Sequence, residues 1–217
     1  MMREWKPGPR ALRWLSIADL IGIPFLILLY IWRWQFTHFR MWLIFPIWIV
    51  ASFVLHRDTP KTLGWRADNL KQAGIEAAIF FGAAIGLLLA IAFARGTPHH
   101  VAWRAVGEHL WSYFAFCLLQ QVALNSVVNN RAISLFSRPW ASSLFAGFVF
   151  ASAHWPNPVL VPITLIGGVA MAWIFRRNRN ILTLAFGQAV VGSLLALAFP
   201  AAWVHNLRVG PGYYRWK

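Results

Sequence analysis

The chain has 217 residues, 59% hydrophobic and 12% charged, whereas a soluble domain carries about 25% charged residues. Its net charge of +14 comes from 20 Lys and Arg against 6 Asp and Glu. These cations sit mainly in short connections between apolar runs, which reads as membrane topology and contact with anionic lipid rather than nucleic-acid binding. The single Cys117 excludes an intrachain disulfide and a multi-Cys metal site.

In chain order, the basic stretch Met1 to Arg13 leads into an apolar run too long for a signal-peptide core, so 15–32 is expected as a retained first span. Asp19 lies near its start. A second, short span is expected near 41–55, with Pro46 inside it. The connection 56–72 carries Arg57, Asp58, Lys61, Arg66, Asp68 and Lys71 and reads as interfacial. Span three, 74–94, is rich in Gly and Ala after Glu76, which suits close helix packing. His99 and His100 follow in a basic connection and read as solvated loop residues.

Span four, 106–128, is entered past Glu108 and His109. Span five, 139–155, opens after Arg138-Pro139 and is stopped by Pro156 and Pro158. Span six, 159–175, holds Gly167-Gly168, and span seven, 181–200, holds Gln188 and Gly192. The tail, 201–217, mixes aromatic and basic residues as membrane interfaces do. The expectation is an all-α, polytopic transmembrane bundle of about seven spans, divided into 1–60, 61–200 and 201–217. Thirteen of the Lys and Arg fall on the amino-terminal side of such a bundle and seven on the other. That bias predicts a cytoplasmic amino terminus in a bacterial-type inner membrane.

The most unusual stretch is 116–131, where amides interrupt an apolar helix. Cys117, Gln121, Asn125 and Asn129 recur every four residues and share one face, with Gln120 one step round. Polar side chains in a membrane segment face a bundle interior or a cavity and mark function by default; the simpler alternative is hydrogen bonding between helices. Phe150 and His154 are likewise i, i+4, as are Gln188 and Gly192. At ~1.5 Å per residue, Gln120, His154 and Gln188 each lie roughly 12–20 Å from the expected cytoplasmic ends of their helices, so they can meet at one depth.

The order and spacing of these residues resemble the CAAX prenyl protease and bacteriocin-processing (CPBP, Abi) family of intramembrane endopeptidases, over about residues 60–200. Gln120-Gln121-x-x-x-Asn125 stands where that family has Glu-Glu-x-x-x-Arg. Phe150-x-x-x-His154 matches its second motif in full, and Gln188-x-x-x-Gly192 occupies the place of His-x-x-x-Asn. Thr62-Leu63-Gly64-Trp65 with Asp68-Asn69-Leu70, and the Pro-rich turn holding Asn157, fit as well.

The resemblance implies the family's helical fold and a site in which Glu activates water beside His. Gln cannot accept a proton as a general base or act as a strong metal ligand, and one His gives no zinc site. Charge has disappeared from the motif positions while hydrogen-bonding capacity remains. Family-type proteolysis is therefore not expected, nor is a metal or cofactor. Three readings stay open. One is an apolar or isoprenoid-like ligand held in the old pocket by Gln120, Gln121, Asn125, Asn129, Phe150, Asn157 and Gln188, with isomerase, cyclase or hydratase chemistry from His154 and Glu108. Another is a non-enzymatic scaffold or chaperone with a membrane-protein partner. The third is an endopeptidase using Glu108 or His154 as a base outside the family pattern. Membrane lipid is an expected partner in each.

Overall fold

The computed structural model describes residues 8–97 and 103–215, the side chains of 103–106 excepted. The pair His99 and His100 lies outside the described residues. Within them the chain is helical throughout. Helix α1 (Pro9–Leu29) starts with Pro at its first turn and runs on through a π-helical turn, Tyr30–Trp34. A 3₁₀ turn, Phe39–Leu43, feeds α2 (Ile44–His56), so Pro46 falls in the first helical turn and leaves the rod continuous. The short α3 (Pro60–Leu63) precedes α4 (Leu70–Ala94). Helix α5 (Trp103–Gln121) passes through a π-helical segment, Val122–Asn129, into α6 (Asn130–Leu135). Then come α7 (Pro139–Ser152), α8 (Leu160–Asn178) and α9 (Ile181–Ala198), with two short tail helices, α10 (Ala201–Val204) and α11 (Pro211–Tyr214).

Five helical stretches are long and apolar enough to cross a membrane: Pro9–Trp34, Phe39–His56, Leu70–Ala94, Leu160–Asn178 and Ile181–Ala198. The other two expected spans are present as rods of a different kind. The α5–α6 rod is long but carries the amides, and α7 has only 14 residues. Large apolar side chains point outward at Ile47, Val54, Ile79, Phe93 and Phe148, each about 70% exposed. On a soluble surface such a coat would be a liability; in a bilayer it is the solvent-facing side.

Close packing comes from small residues. Helices α7 and α8 cross where a Cβ on Gly168 would lie 2.9 Å from the Cα of Gly147. Gly187 of α9 receives the ring of Phe81 from α4, and Gly192 receives Tyr113 from α5. Phe175, Ile181 and Leu184 are fully buried at the α8–α9 turn.

Residues 59–70 clip that turn in place. Thr59 caps α3 reciprocally with Thr62, and Gly64 ends it at φ +83°, where a Cβ would also strike Phe175. Gly64 O accepts from Ile181 N at 3.0 Å. Asn180 accepts from Leu182 N and Thr183 N as the cap of α9, while its Nδ2 donates to Arg66 O at 2.8 Å. Asn69 Nδ2 donates to Asn178 O. At the opposite end of the bundle, the tail folds back so that Gly210 N donates to Trp155 O at 2.8 Å.

Candidate functional site

The amides of α5 and its π-helical continuation form one hydrogen-bonded chain with α9 and α8. Gln188 Nε2 donates to Gln120 Oε1 at 2.6 Å, and Gln121 Nε2 donates to Gln188 Oε1 at 2.7 Å. Asn125 Nδ2 donates to Gln121 Oε1 at 2.6 Å, and Asn129 Nδ2 to Asn125 Oδ1 at 3.0 Å. The chain ends on α8, where Asn129 Nδ2 also reaches Ala172 O at 2.9 Å and Gln121 Nε2 lies 3.0 Å from Met171 Sδ. Gln121, Asn125 and Asn129 are completely buried, whereas Gln120 and Gln188 are half-buried.

The local helix type explains the alignment. In an α-helix a residue four positions on overshoots a full turn, so a long i+4 series drifts round the rod. The wider π turn contains more than four residues and reverses that drift. One acceptor is left over: Asn129 Oδ1 is buried without a partner.

The remaining expected residues are distributed as follows. Phe150 is buried and its ring meets that of His154 edge-on at 4.7 Å. His154 Nδ1 lies 2.7 Å from Phe150 O. A carbonyl only accepts, so Nδ1 carries the hydrogen and Nε2 the lone pair of the neutral ring. Glu108 is exposed on α5, twelve residues before Gln120 and therefore about 18 Å away along the helix. The geometry does not bring Glu108 to the amide chain.

Asn157 is fully buried but spends its whole amide inside the protein. Its Oδ1 accepts from Val159 N and Leu160 N, capping α8, and its Nδ2 donates to Val204 O and Arg208 O in the tail. Gly192, at the family's Asn position, is filled by Tyr113, whose hydroxyl would stand 2.8 Å from a Cβ there. Tyr113 is a site residue that the motif pattern does not reveal.

A second polar centre lies where the middle of α1 faces α2 and α6. Asp19 is 5% exposed and accepts from Trp48 Nε1 at 2.9 Å, Ser52 Oγ at 2.5 Å and Arg131 Nε at 3.1 Å. The same guanidinium donates to Ser52 Oγ at 2.9 Å and to Asp58 Oδ2 at 2.5 Å. His56 joins through Ser16 Oγ at 3.2 Å and lies 3.7 Å from Asp19 Oδ2. Sequence reasoning singled out Asp19 without its partner, because Asp19 and Arg131 are 112 positions apart. Among the described residues, no three His, Cys, Asp or Glu side chains converge as metal ligands do.

Against this geometry stand the comparisons with known proteins. Residues 105–194, spanning α5 to α9, match the family described as type II CAAX prenyl endopeptidase Rce1-like. No curated protein and no solved structure matches the chain.

Proposed function

Residues 105–194 match the Rce1-like family of type II CAAX prenyl endopeptidases, and we propose that this integral-membrane protein binds a membrane-protein partner on its outer helix surfaces instead of cleaving. In this reading the motif region is a non-catalytic scaffold whose old motif positions hold α5, α8 and α9 together. The observation that carries it is that the side chains of Gln121, Asn125 and Asn129 hydrogen-bond to one another and to α8 and α9, leaving only Asn129 Oδ1 over. Gln121 donates to Gln188 at 2.7 Å and accepts from Asn125 at 2.6 Å, and both Gln121 and Asn125 are fully buried.

A Glu pair would carry negative charge at these positions; amides carry none, and a neutral network is far cheaper to bury than an incomplete ionic one. The outward apolar coat leaves helix surfaces for a membrane-protein partner. The basic bias of the amino-terminal end supports a cytoplasmic amino terminus, in a bacterial-type inner membrane.

A second reading is favoured by the half-buried end of the chain. Gln120 and Gln188 are the only amides of the ladder that keep part of their surface open, and an apolar, isoprenoid-like ligand with a polar head group could hydrogen-bond there. Glu108 lies about 18 Å away along α5 and is out of reach of such a site. Native mass spectrometry with lipid extraction separates the two readings. The scaffold reading expects bulk phospholipid alone in the wild type and in Gln188→Leu. A specific isoprenoid-like molecule retained by the wild type and lost in Gln188→Leu would overturn it in favour of the ligand site.

A further inference from the structure

The polar centre on α1 and α2 borders a cleft of about 540 Å³ that opens among α1, α2 and α6, away from the amide chain. Ser16 and His56 both line it. Their geometry is that of a nucleophile and its base. His56 Nδ1 lies 3.0 Å from the carbonyl oxygen of Ser52, which can only accept, so Nδ1 carries the hydrogen. The lone pair of the neutral ring is then on Nε2, and Nε2 is 3.2 Å from Ser16 Oγ. That is the tautomer a serine nucleophile requires. Asp19 Oδ2 stands 3.7 Å from Nδ1 and would stabilise the imidazolium formed when the base takes a proton. Asp19 is itself held by Ser52, Trp48 and Arg131, so the third member is rigidly fixed.

We infer that Ser16, His56 and Asp19 form a serine-hydrolase centre acting on acyl esters of amphiphiles at the membrane surface. The substrate class follows from the cleft walls. Pro9, Leu12 and Leu135 offer an apolar side for an acyl chain, and Arg13, one turn before Ser16, brings positive charge to the same space. The Ser16 hydroxyl proton passes to His56 Nε2 as Oγ bonds to the acyl carbon. Arg13 supplies countercharge to the oxyanion. Collapse of the tetrahedral adduct breaks the bond to the alcohol, which leaves with the proton from Nε2. Water, deprotonated by the same nitrogen, then releases the acid and restores Ser16. The inference does not depend on the scaffold reading, which concerns a different set of residues.

The test uses the full chain in detergent micelles with a fluorophosphonate probe, mapped by mass spectrometry, and p-nitrophenyl butyrate as the ester. The expected result is an adduct on Ser16, with butyrate release lost in Ser16→Ala and labelling at least tenfold slower in His56→Gln. The wild-type adduct needs no variant to fold. Absence of an adduct on Ser16 in the folded wild type, or undiminished labelling in His56→Gln, would overturn the inference and leave the contact purely structural.

Discussion

Gln121 of α5 donates to Gln188 of α9 across 2.7 Å, joining the first and third motif positions of a protease family through two side chains that cannot titrate. Removing Gln121 leaves Gln188 Oε1 and the buried Asn125 Nδ2 without their partner. Gln121→Leu should lower stability by about 1–3 kcal/mol. The double variant Gln121→Leu/Gln188→Leu should lose less than the sum of the single changes. Thermal unfolding of the four proteins in one detergent gives the coupling, expected at about 0.6–1.7 kcal/mol.

The ion pair between Arg131 and Asp19 should be the more brittle contact. Both side chains are 5–7% exposed, and Asp58 is bound to the same guanidinium. Asp19→Ala should cost about 3–5 kcal/mol, because it strands part of a buried charge. Arg131→Met combined with Asp19→Leu should recover part of that loss. Denaturation midpoints measured in micelles check both statements.

Glycine positions give a steric prediction. A Cβ at Gly192 would collide with Tyr113, and one at Gly168 would meet both Phe150 and the backbone of Gly147. Gly192→Ala should therefore destabilise by about 1–3 kcal/mol through overpacking. Gly192→Ala with Tyr113→Leu should relieve most of that cost. Gly74, with open space around its Cα, should accept Ala without loss.

Much of this site is legible in the residue pattern, and the rest is not, for identifiable reasons. The i+4 spacing of Gln121, Asn125 and Asn129 points to a shared face because neighbours along one helix obey a fixed period. Phe150 and His154 are found in the same way. Asp19 and Arg131 come from helices far apart in sequence, and nothing local tells a charge which partner it will meet. Tyr113 enters the space of Gly192 through helix packing, which a missing side chain does not announce. Asn157 did carry a readable signal: Asn followed by Pro before an apolar run is a helix cap, and the structure uses it as one.

The surface loop offers a pH test. Arg66 donates Nε to Asp68 Oδ1 at 2.9 Å and a second N–H to Oδ2. That hydrogen bond, followed by the guanidinium charge, lowers the Asp68 carboxyl from an ordinary 3.8 to about 2. A folded-state value below the unfolded one means the pair stabilises fully above pH 3.8 and stops doing so as pH falls towards about 2. The pair is exposed, so the effect is small and salt-screened. Melting curves between pH 5 and 2 should show a shallower decline in Asp68→Asn than in the wild type, and the difference should shrink at high salt.

The central proposal is that the motif region keeps the frame of the family it matches without that family's chemistry. Its most direct test is incubation of the purified wild type with a farnesylated CAAX peptide, followed by mass spectrometry of the peptide, beside Gln120→Glu/Gln121→Glu and His154→Ala. The account predicts an intact peptide with all three proteins, since position 125 remains Asn, position 188 Gln, and Tyr113 fills the space at Gly192. Release of the tripeptide by the wild type, abolished in His154→Ala, would contradict it.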